Sequence, residues 1–551
     1  MASGKAWNRR IALLGGAAAA TGAYFALSGP DRPSRRKVTD ARTFLRGNAA
    51  EPQTLDPNLA AGTMDAHILR DLMMGLITED PLSHPVPGAA THWRTAADGL
   101  TWVFHLRDAT WSDGVPVTAG DFVFSWRRIL DPDTASPYAY FLYVIQNAAA
   151  VNKGAMPGEA LGVKALDART LEITLEHPAP YLLEMLSHST MYPLPRHVVT
   201  ARGKAWARAG SHVGNGAYVL KEWLPNGHVL VEKNPRFFDA ANVAMEKVYY
   251  YPTDDYGAAL QRFRAGELDI QVRLPGQQID WIRKNIPQTI DLKPQLTVEY
   301  VAMNQTRPPF NDVRIRHALN LALNREAITT RISRVGQVPA YSFVPPGTAN
   351  FPGGNSLDFT HLPHAARVEK ARGLMRAAGY GENNRLKTSY LLRGTGPGTA
   401  RAVAAAIQQM FAQVYVDIAI LPVDFPIFLA QTDAHDFDMA QAGWGADFND
   451  AATFIELLQT GAGNNSGAYS NKHYDAALEA SRHDTDLVTR GQKLAEAERI
   501  ALADHAVLPL FFWANPNLVW PYVKGWETNA MDHHPSRWIT VDQAARSRQF
   551  A

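Results

Sequence analysis

Apolar positions along this chain switch repeatedly between two periods, and the switches outline many short elements. Leu100-Thr-Trp-Val-Phe-His-Leu106 alternates as a strand does, with Asp113-Gly114 as a turn soon after it. Ile68, Leu69, Leu72 and Leu76 recur at three- and four-residue spacing and predict a helix over 62–76. Thr118-Ala-Gly-Asp121 precedes the apolar run FVFSWRRIL and predicts a capped helix start, with the Thr118 hydroxyl and the Asp121 carboxylate both meeting free N–H groups. Residues 43–48 read as a strand, 163–175 as a hairpin, and 218–232 as a second hairpin across Pro225-Asn-Gly227. A helix and then a strand follow over 258–270, and Asn311-Asp312 caps a helix from Val313. Later helices are predicted over 364–378, 399–413 and 472–504, with strands near 387–392, 416–421 and 506–512. No internal repeat and no low-complexity tract interrupts this series, which reads as a mixed α/β protein of several lobes.

Length changes the picture first: 551 residues are too many for one hydrophobic core. A formal net charge of +1 without long blocks of one sign gives no nucleic-acid footprint. The absence of cysteine excludes disulfides, thiolate metal sites, a cysteine nucleophile and a lipid-modified cysteine. At the N-terminus, Lys5, Arg9 and Arg10 precede the uncharged Ala/Gly-rich run from Ile11 to Leu27. Residues 1–30 therefore read as an export signal and 31–39 as a linker, which places the mature protein in the periplasm. The Arg9-Arg10 pair, with Arg32, Arg35, Arg36 and Lys37 beyond the run, points to the twin-arginine type. An uncleaved anchor is the competing reading, but the glycine-diluted run is short against the roughly 20 residues a span needs. No later stretch is apolar enough for stable membrane insertion.

Reaction chemistry is hard to find. P-loop, G-x-G-x-x-G, G-x-S-x-G and H-E-x-x-H signatures are all missing, so no enzyme and no cofactor are expected. Asp113 and Asp121 are explained as turn and cap. His361-Leu-Pro-His364 is the nearest approach to a metal-ligand pair, but its proline breaks the helix that would align the rings; a surface loop and no metal are expected. Gly394-Thr-Gly-Pro-Gly398 could offer N–H groups to an anion or be a plain loop tip. One group stands out. In GWGADFNDAATF (443–454), Asp447 lies among aromatic and small residues with no lysine or arginine within ten positions. A buried carboxylate there needs a partner from elsewhere in the fold, from water or from a ligand; alternatively it stabilises a turn ahead of a helix cap at Asn449 or Asp450.

Four segments, in order and in spacing, resemble the oligopeptide-binding proteins of ABC importers, the family 5 extracellular solute-binding proteins. They are Gly99 to Tyr140 (GLTWVFHLRDATWSDGVPVTAGDFVFSWRRILDPDTASPYAY), Val213 to Asp239, Pro308 to Ile328, and Asp436 to Tyr474, and the likeness runs over most of residues 42–530. The resemblance implies an α/β, two-lobed periplasmic-binding-protein fold (type II-like, three domains) with a hinge of two crossing strands and an interlobe ligand cleft. Lobe I would combine 40–73, 198–298 and 510–545, with an inserted domain II at 74–197 and lobe III at 299–509. It implies that Asp447 receives the α-ammonium of a peptide. Gly443, Trp444 and Gly445, and Ala61, Gly62 and Thr63, would be edges against which the peptide pairs as an added strand, Tyr138 would lie near the ligand N-terminus, and Trp444 would line a side-chain pocket.

The sequence also departs from the resemblance. Relatives often place an arginine just before Gly-Trp for the ligand C-terminus, where this chain has Gln441; Arg393 and Arg401 are the nearby candidates for a ligand carboxylate. The expected function is an exported receptor that captures short peptides and delivers them to ABC importer permease subunits, acting as a monomer without nucleic acid. A murein peptide, a dipeptide, a nickel complex or another amine-bearing solute stays open as ligand. A periplasmic peptide hydrolase or a chaperone on the same fold is the alternative class.

Overall fold

The computed structural model describes residues 42–395 and 398–550. The expected signal (1–30) and linker (31–39) lie outside the described residues, as does part of the Gly394–Gly398 loop. Within them the protein is an α/β structure of two lobes, joined through one eleven-stranded mixed sheet. From one edge the strands run Val416–Val423, Leu386–Arg393, Met439–Gly445, Ile290–Met303, Leu508–Val519, Ile270–Gln271, Thr43–Gly47, Lys247–Tyr251, His228–Lys233 and Tyr218–Leu224, with Val338–Pro339 on the side of Leu508–Val519. Residues 90–174 build a separate four-stranded antiparallel sheet.

Apolar burial divides with the sheet. One core takes most of its side chains from Phe44 to Ile282 and from Leu518 to Val541; two further cores draw mainly on residues between Leu296 and Phe512. Only the two longest strands, Ile290–Met303 and Leu508–Val519, pass through both regions. Ile290 to Pro294 pairs with Leu518 to Ala514, and Val298 to Val301 pairs with Phe512 to Leu508, with the register broken between. Pro294 has no N–H to give to a ladder, so the break falls where the sequence cannot sustain pairing. The same break leaves Gln295, Leu296 and Thr297 facing the space between the lobes.

Local signals account for most elements. Asp312 accepts from the Arg314 N–H at 2.9 Å and starts the helix Val313–Ala322. Three expectations are corrected. The helix expected over 62–76 is Thr63–Leu72, because the chain turns extended at Met73 and carries Leu76 into the core on its own. The helix expected over 472–504 is two, Lys472–Arg482 and Leu487–Ala503, since Asp486 accepts from the Thr489 N–H at 2.8 Å and starts the second anew. The strand expected over 506–512 continues to Val519. At the helix Ala119–Leu130 the expected capping box is present: Asp121 accepts the Thr118 N–H at 2.8 Å, and the Thr118 hydroxyl also donates to that carboxylate at 3.0 Å.

An aromatic and ionic cluster is one of the places where the lobes touch. Phe448 stacks on Tyr181 with centroids 5.4 Å apart and meets the edge of Phe141 at 6.0 Å. Asp450 takes two hydrogen bonds from Arg490 at 2.8 and 2.9 Å, both side chains almost wholly buried, and the guanidinium lies 4.2 Å from the Tyr181 ring centroid. Replacing Arg490 with Met strands the Asp450 carboxylate in the interior. The expected loss is about 3–5 kcal/mol in the unfolding free energy of this lobe, measured by urea denaturation; a loss below about 1 kcal/mol contradicts a buried ion pair.

Candidate functional site

Asp447 lies just past the end of the strand Met439–Gly445 and before the short helix Ala452–Ile455. The turn between them is stabilised by its neighbours: Asp450 accepts from the Ala452 N–H at 2.9 Å, and Asn449 accepts from the Ala349 N–H at 2.9 Å. Asp447 accepts no backbone N–H, and no cation lies within 4 Å of it among the described residues. Its hydrogen-bond donor is the Tyr138 hydroxyl, at a long 3.4 Å, reaching across from the other lobe. Desolvation pushes the Asp447 carboxyl up to about 7, against only modest stabilisation from Tyr138 and Tyr140. Burial and the Asp447 charge raise both tyrosine hydroxyls well above their usual range, so they remain donors.

This carboxylate separates two cavities. The first, of about 260 Å³, is lined by Ala61, Gly62 and Thr63 on one lobe and by Thr297, Gly445 and Asp447 on the other, with Tyr138, His188, Arg70 and His533 between. The second, of about 580 Å³, runs from Asp447 past Trp444, Phe141, Tyr181 and Leu457 to Arg482. The structure thus gathers Ala61, Gly62, Thr63, Tyr138, Gly445 and Asp447 around one space and puts Trp444 in the adjoining one. The Trp444 indole N–H donates to Thr453 Oγ1 at 3.0 Å, which fixes the ring as part of that wall.

Both glycine segments are bare backbone for a reason. A Cβ on Gly443 would stand 2.8 Å from Glu299 Oε2, and one on Gly62 would stand 2.9 Å from Asp65 Oδ2. Gly443 and Gly445 pair with Glu299 and Thr297 along one side of their strand. On the other side only Met439 and Ala440 are paired, with Tyr390 and Leu391, so no described strand covers that edge from Gln441 to Gly445. An extended chain with free N–H and C=O groups fits such an edge.

Arg393 and Arg401 are not brought to either cavity. Arg393 ends the strand Leu386–Arg393 with its guanidinium 5.7 Å from the Phe425 ring centroid, and Arg401 is exposed near the start of the helix Thr399–Ala412. Gln441 donates to Glu299 at 2.7 Å, so it is already engaged.

Sequence reasoning missed the floor of the first cavity. There Arg70 Nη2 donates to His533 Nε2 at 2.7 Å, and His533 Nδ1 donates to Glu79 at 2.8 Å. Burial alone would raise Glu79, but the neighbouring His533 and Arg70 hold it down to about 2. His533 lies some 460 positions from the other two, and the only local hint is a basic residue on the apolar face of the helix Thr63–Leu72.

Comparison with known proteins gives the same architecture. The family model described as "Bacterial extracellular solute-binding proteins, family 5 Middle" matches residues 84–466. The periplasmic oligopeptide-binding protein OppA of Salmonella typhimurium is 35% identical over 508 residues, covering 91% of this chain and 92% of its own. The periplasmic murein peptide-binding protein MppA of Escherichia coli is 33% identical over 500 residues, covering 90% and 92%. The crystal structure of Haemophilus influenzae OppA in complex with RPPGFSPFR matches with a TM-score of 0.79 at 34% identity, covering 91% of this chain and 99% of that one. A cleft between lobes, with an open strand edge and an unpaired acid, is thus set in a scaffold shared along nearly its whole length, and the chain belongs to the bacterial extracellular solute-binding proteins, family 5.

Proposed function

We propose that this protein is a periplasmic receptor that captures short peptides by their free N-terminus and delivers them to an ABC importer. The observation that carries this reading is Asp447, a desolvated carboxylate without a cation, beside an unpaired strand edge and between two cavities. An α-ammonium placed there supplies the missing charge, and both ions gain in a water-poor site what they would lack alone. Gly443 to Gly445 and Ala61 to Thr63 then take the peptide main chain from two sides, which leaves side-chain identity loosely constrained. Trp444 and the second cavity accommodate one side chain next to the amine. The relatives named for oligopeptides and for murein peptide have the same architecture, and they support a peptide or peptide-like amine over a solute without one.

Closure is the second element of the reading. Two crossing strands with a broken register at Pro294–Val298 act as the hinge, and Tyr138 meets Asp447 only when the lobes are together. A ligand that touches both lobes favours that form by its greater affinity for it. Among the described residues neither Arg393 nor Arg401 lines the cavities, and on this reading the ligand's C-terminus contributes little. Binding and release are the function that this arrangement supports.

Calorimetry on protein unfolded and refolded to remove carried ligand tests the proposal. Free tri- to pentapeptides are expected to bind, N-acetylation to cost about 3–5 kcal/mol, roughly two to three and a half decades, and C-terminal amidation less than about tenfold. Equal binding of free and acetylated peptides contradicts the role of Asp447; a large loss on amidation contradicts the idle C-terminus.

The pH dependence follows from the same charge. Below about 7 Asp447 must first lose a proton, so affinity falls with acidity; above about 7.7–8.0 the peptide amine loses its own. Affinity therefore peaks between these values, and a flat profile from pH 5 to 9 speaks against the pair.

In the ligand-free protein the sign is opposite to that of a salt-bridged acid. A carboxyl whose pKa is raised on folding lets the unfolded chain release its proton first, so the cost is absent below about pH 4, grows between about pH 4 and 7, and stays at its full value above 7. Asp447→Asn is expected to raise the melting temperature of peptide-free protein at pH 8 and to leave it nearly unchanged at pH 4; a lower melting temperature at pH 8 would show a hidden cationic partner.

A further inference from the structure

Away from the cleft, three metal-ligating side chains from three separate segments converge in the lobe that carries Asp447. His317 lies on the helix Val313–Ala322, Asp358 on the loop that follows Asn355, and His505 just beyond the helix Leu487–Ala503, in a left-handed backbone conformation with φ of 48°. One ligand atom from each lies within 4.8 Å of the other two. The two imidazoles stack with centroids 4.1 Å apart, and His317 Nε2 is 3.8 Å from Asp358 Oδ1.

The three side chains leave an unsatisfied donor atom and free space beside the histidine stack. His317 Nε2 is buried and has no hydrogen-bond partner, an arrangement that costs free energy unless something fills the position. His505 is 5% exposed, and the hydrogen bond between its Nδ1 and Asn320 Nδ2 is a long 3.4 Å. A cavity of about 350 Å³ opens beside the three, lined also by Asn355, Ser356 and Arg499. Arg499 is turned away in a bidentate pair with Glu496 at 2.6 and 2.7 Å, so it does not neutralise Asp358. Burial, and after it the nearby charges of Lys370 and, for His505, of Arg316 and Arg325, lower both histidines, so the rings are neutral at neutral pH.

We propose that His317, His505 and Asp358 form a binding site for a divalent transition-metal ion. Two imidazoles and one carboxylate match the borderline donors that zinc and nickel take, with room in the cavity for water as a further ligand. Zinc–nitrogen and zinc–oxygen bonds of about 2.0–2.2 Å require the ligand atoms to close to roughly 3–3.5 Å of one another. Asp358 can supply that movement, because its side chain is 66% exposed on a loop. The ion ties this loop to the two helices, so it acts on the rigidity of the lobe and leaves the peptide cleft as it is.

Titration of tag-free protein, stripped with a chelator, with zinc and nickel salts tests the assignment by calorimetry and by thermal unfolding. One saturable site per chain is expected, with a melting temperature that rises on metal addition and returns with chelator. Asp358→Asn, an exposed and structurally harmless change, and His317→Gln are each expected to weaken binding at least about tenfold while peptide binding stays as in the wild type. No saturable binding in the wild type, or equal binding in both variants, overturns the proposal.

Discussion

A carboxylate without a countercharge, held at the meeting of two lobes, is the constraint on which the rest of this structure turns. Asp447 could have been placed in water, or paired as Asp450 is with Arg490 three residues further on. The contrast between these two acids is informative. Asp450 is buried, bidentately paired and fixed under Tyr181; Asp447 has one long hydrogen bond from across the cleft and a carboxyl raised to about 7. The first acid holds the lobe together; the second, under the proposed function, leaves a charge for the ligand's amine.

The fold makes that arrangement possible by separating rigidity from movement. Each lobe has its own apolar core, and the strands that pass between them lose regular pairing at Pro294–Val298, next to the cavity wall. At Gly443, Gly445 and Gly62 an added Cβ would crowd the Glu299, Thr297 and Asp65 side chains, and glycine leaves these edges unobstructed. A main-chain edge binds many sequences with similar strength, while a single charge fixes the register of whatever lies along it. Together they describe broad specificity anchored at one end.

Much of this was legible in the sequence wherever the signal is local. The hairpins, the Asp312 cap and the strand Thr101–Leu106 all follow from period and turn chemistry within a few residues. The Asp486 cap was equally local, but the apolar period continues across it, and the longer pattern obscured the break. The strand Ile290–Met303 was not visible in the alternation of its residues, because Pro294 and Gln295 interrupt it and its second half is buried on both faces. At the site, the missing cation near Asp447 could be noticed in the sequence, but that its turn is held by Asp450 and Asn449 could not. Tyr138 and Asp447 are 309 positions apart, and the Arg70–His533–Glu79 chain spans more still; contacts of that range depend on how the lobes close. The resemblance to a known family reached Tyr138 and the two backbone edges where period and spacing could not, and it gave no indication of the cavity floor.

The central claim, that Asp447 waits for a cationic partner, is tested most directly by the titration of its own carboxyl. With carbon-13 at the aspartate carboxyl and Asp447→Asn to assign the signal, nuclear magnetic resonance follows the group with and without a bound tripeptide. The account predicts a midpoint near 7 in the ligand-free protein, as desolvation imposes, and a fall of at least about two pH units when the peptide amine is present. A midpoint near 4 without ligand, or one that peptide leaves unmoved, would contradict it.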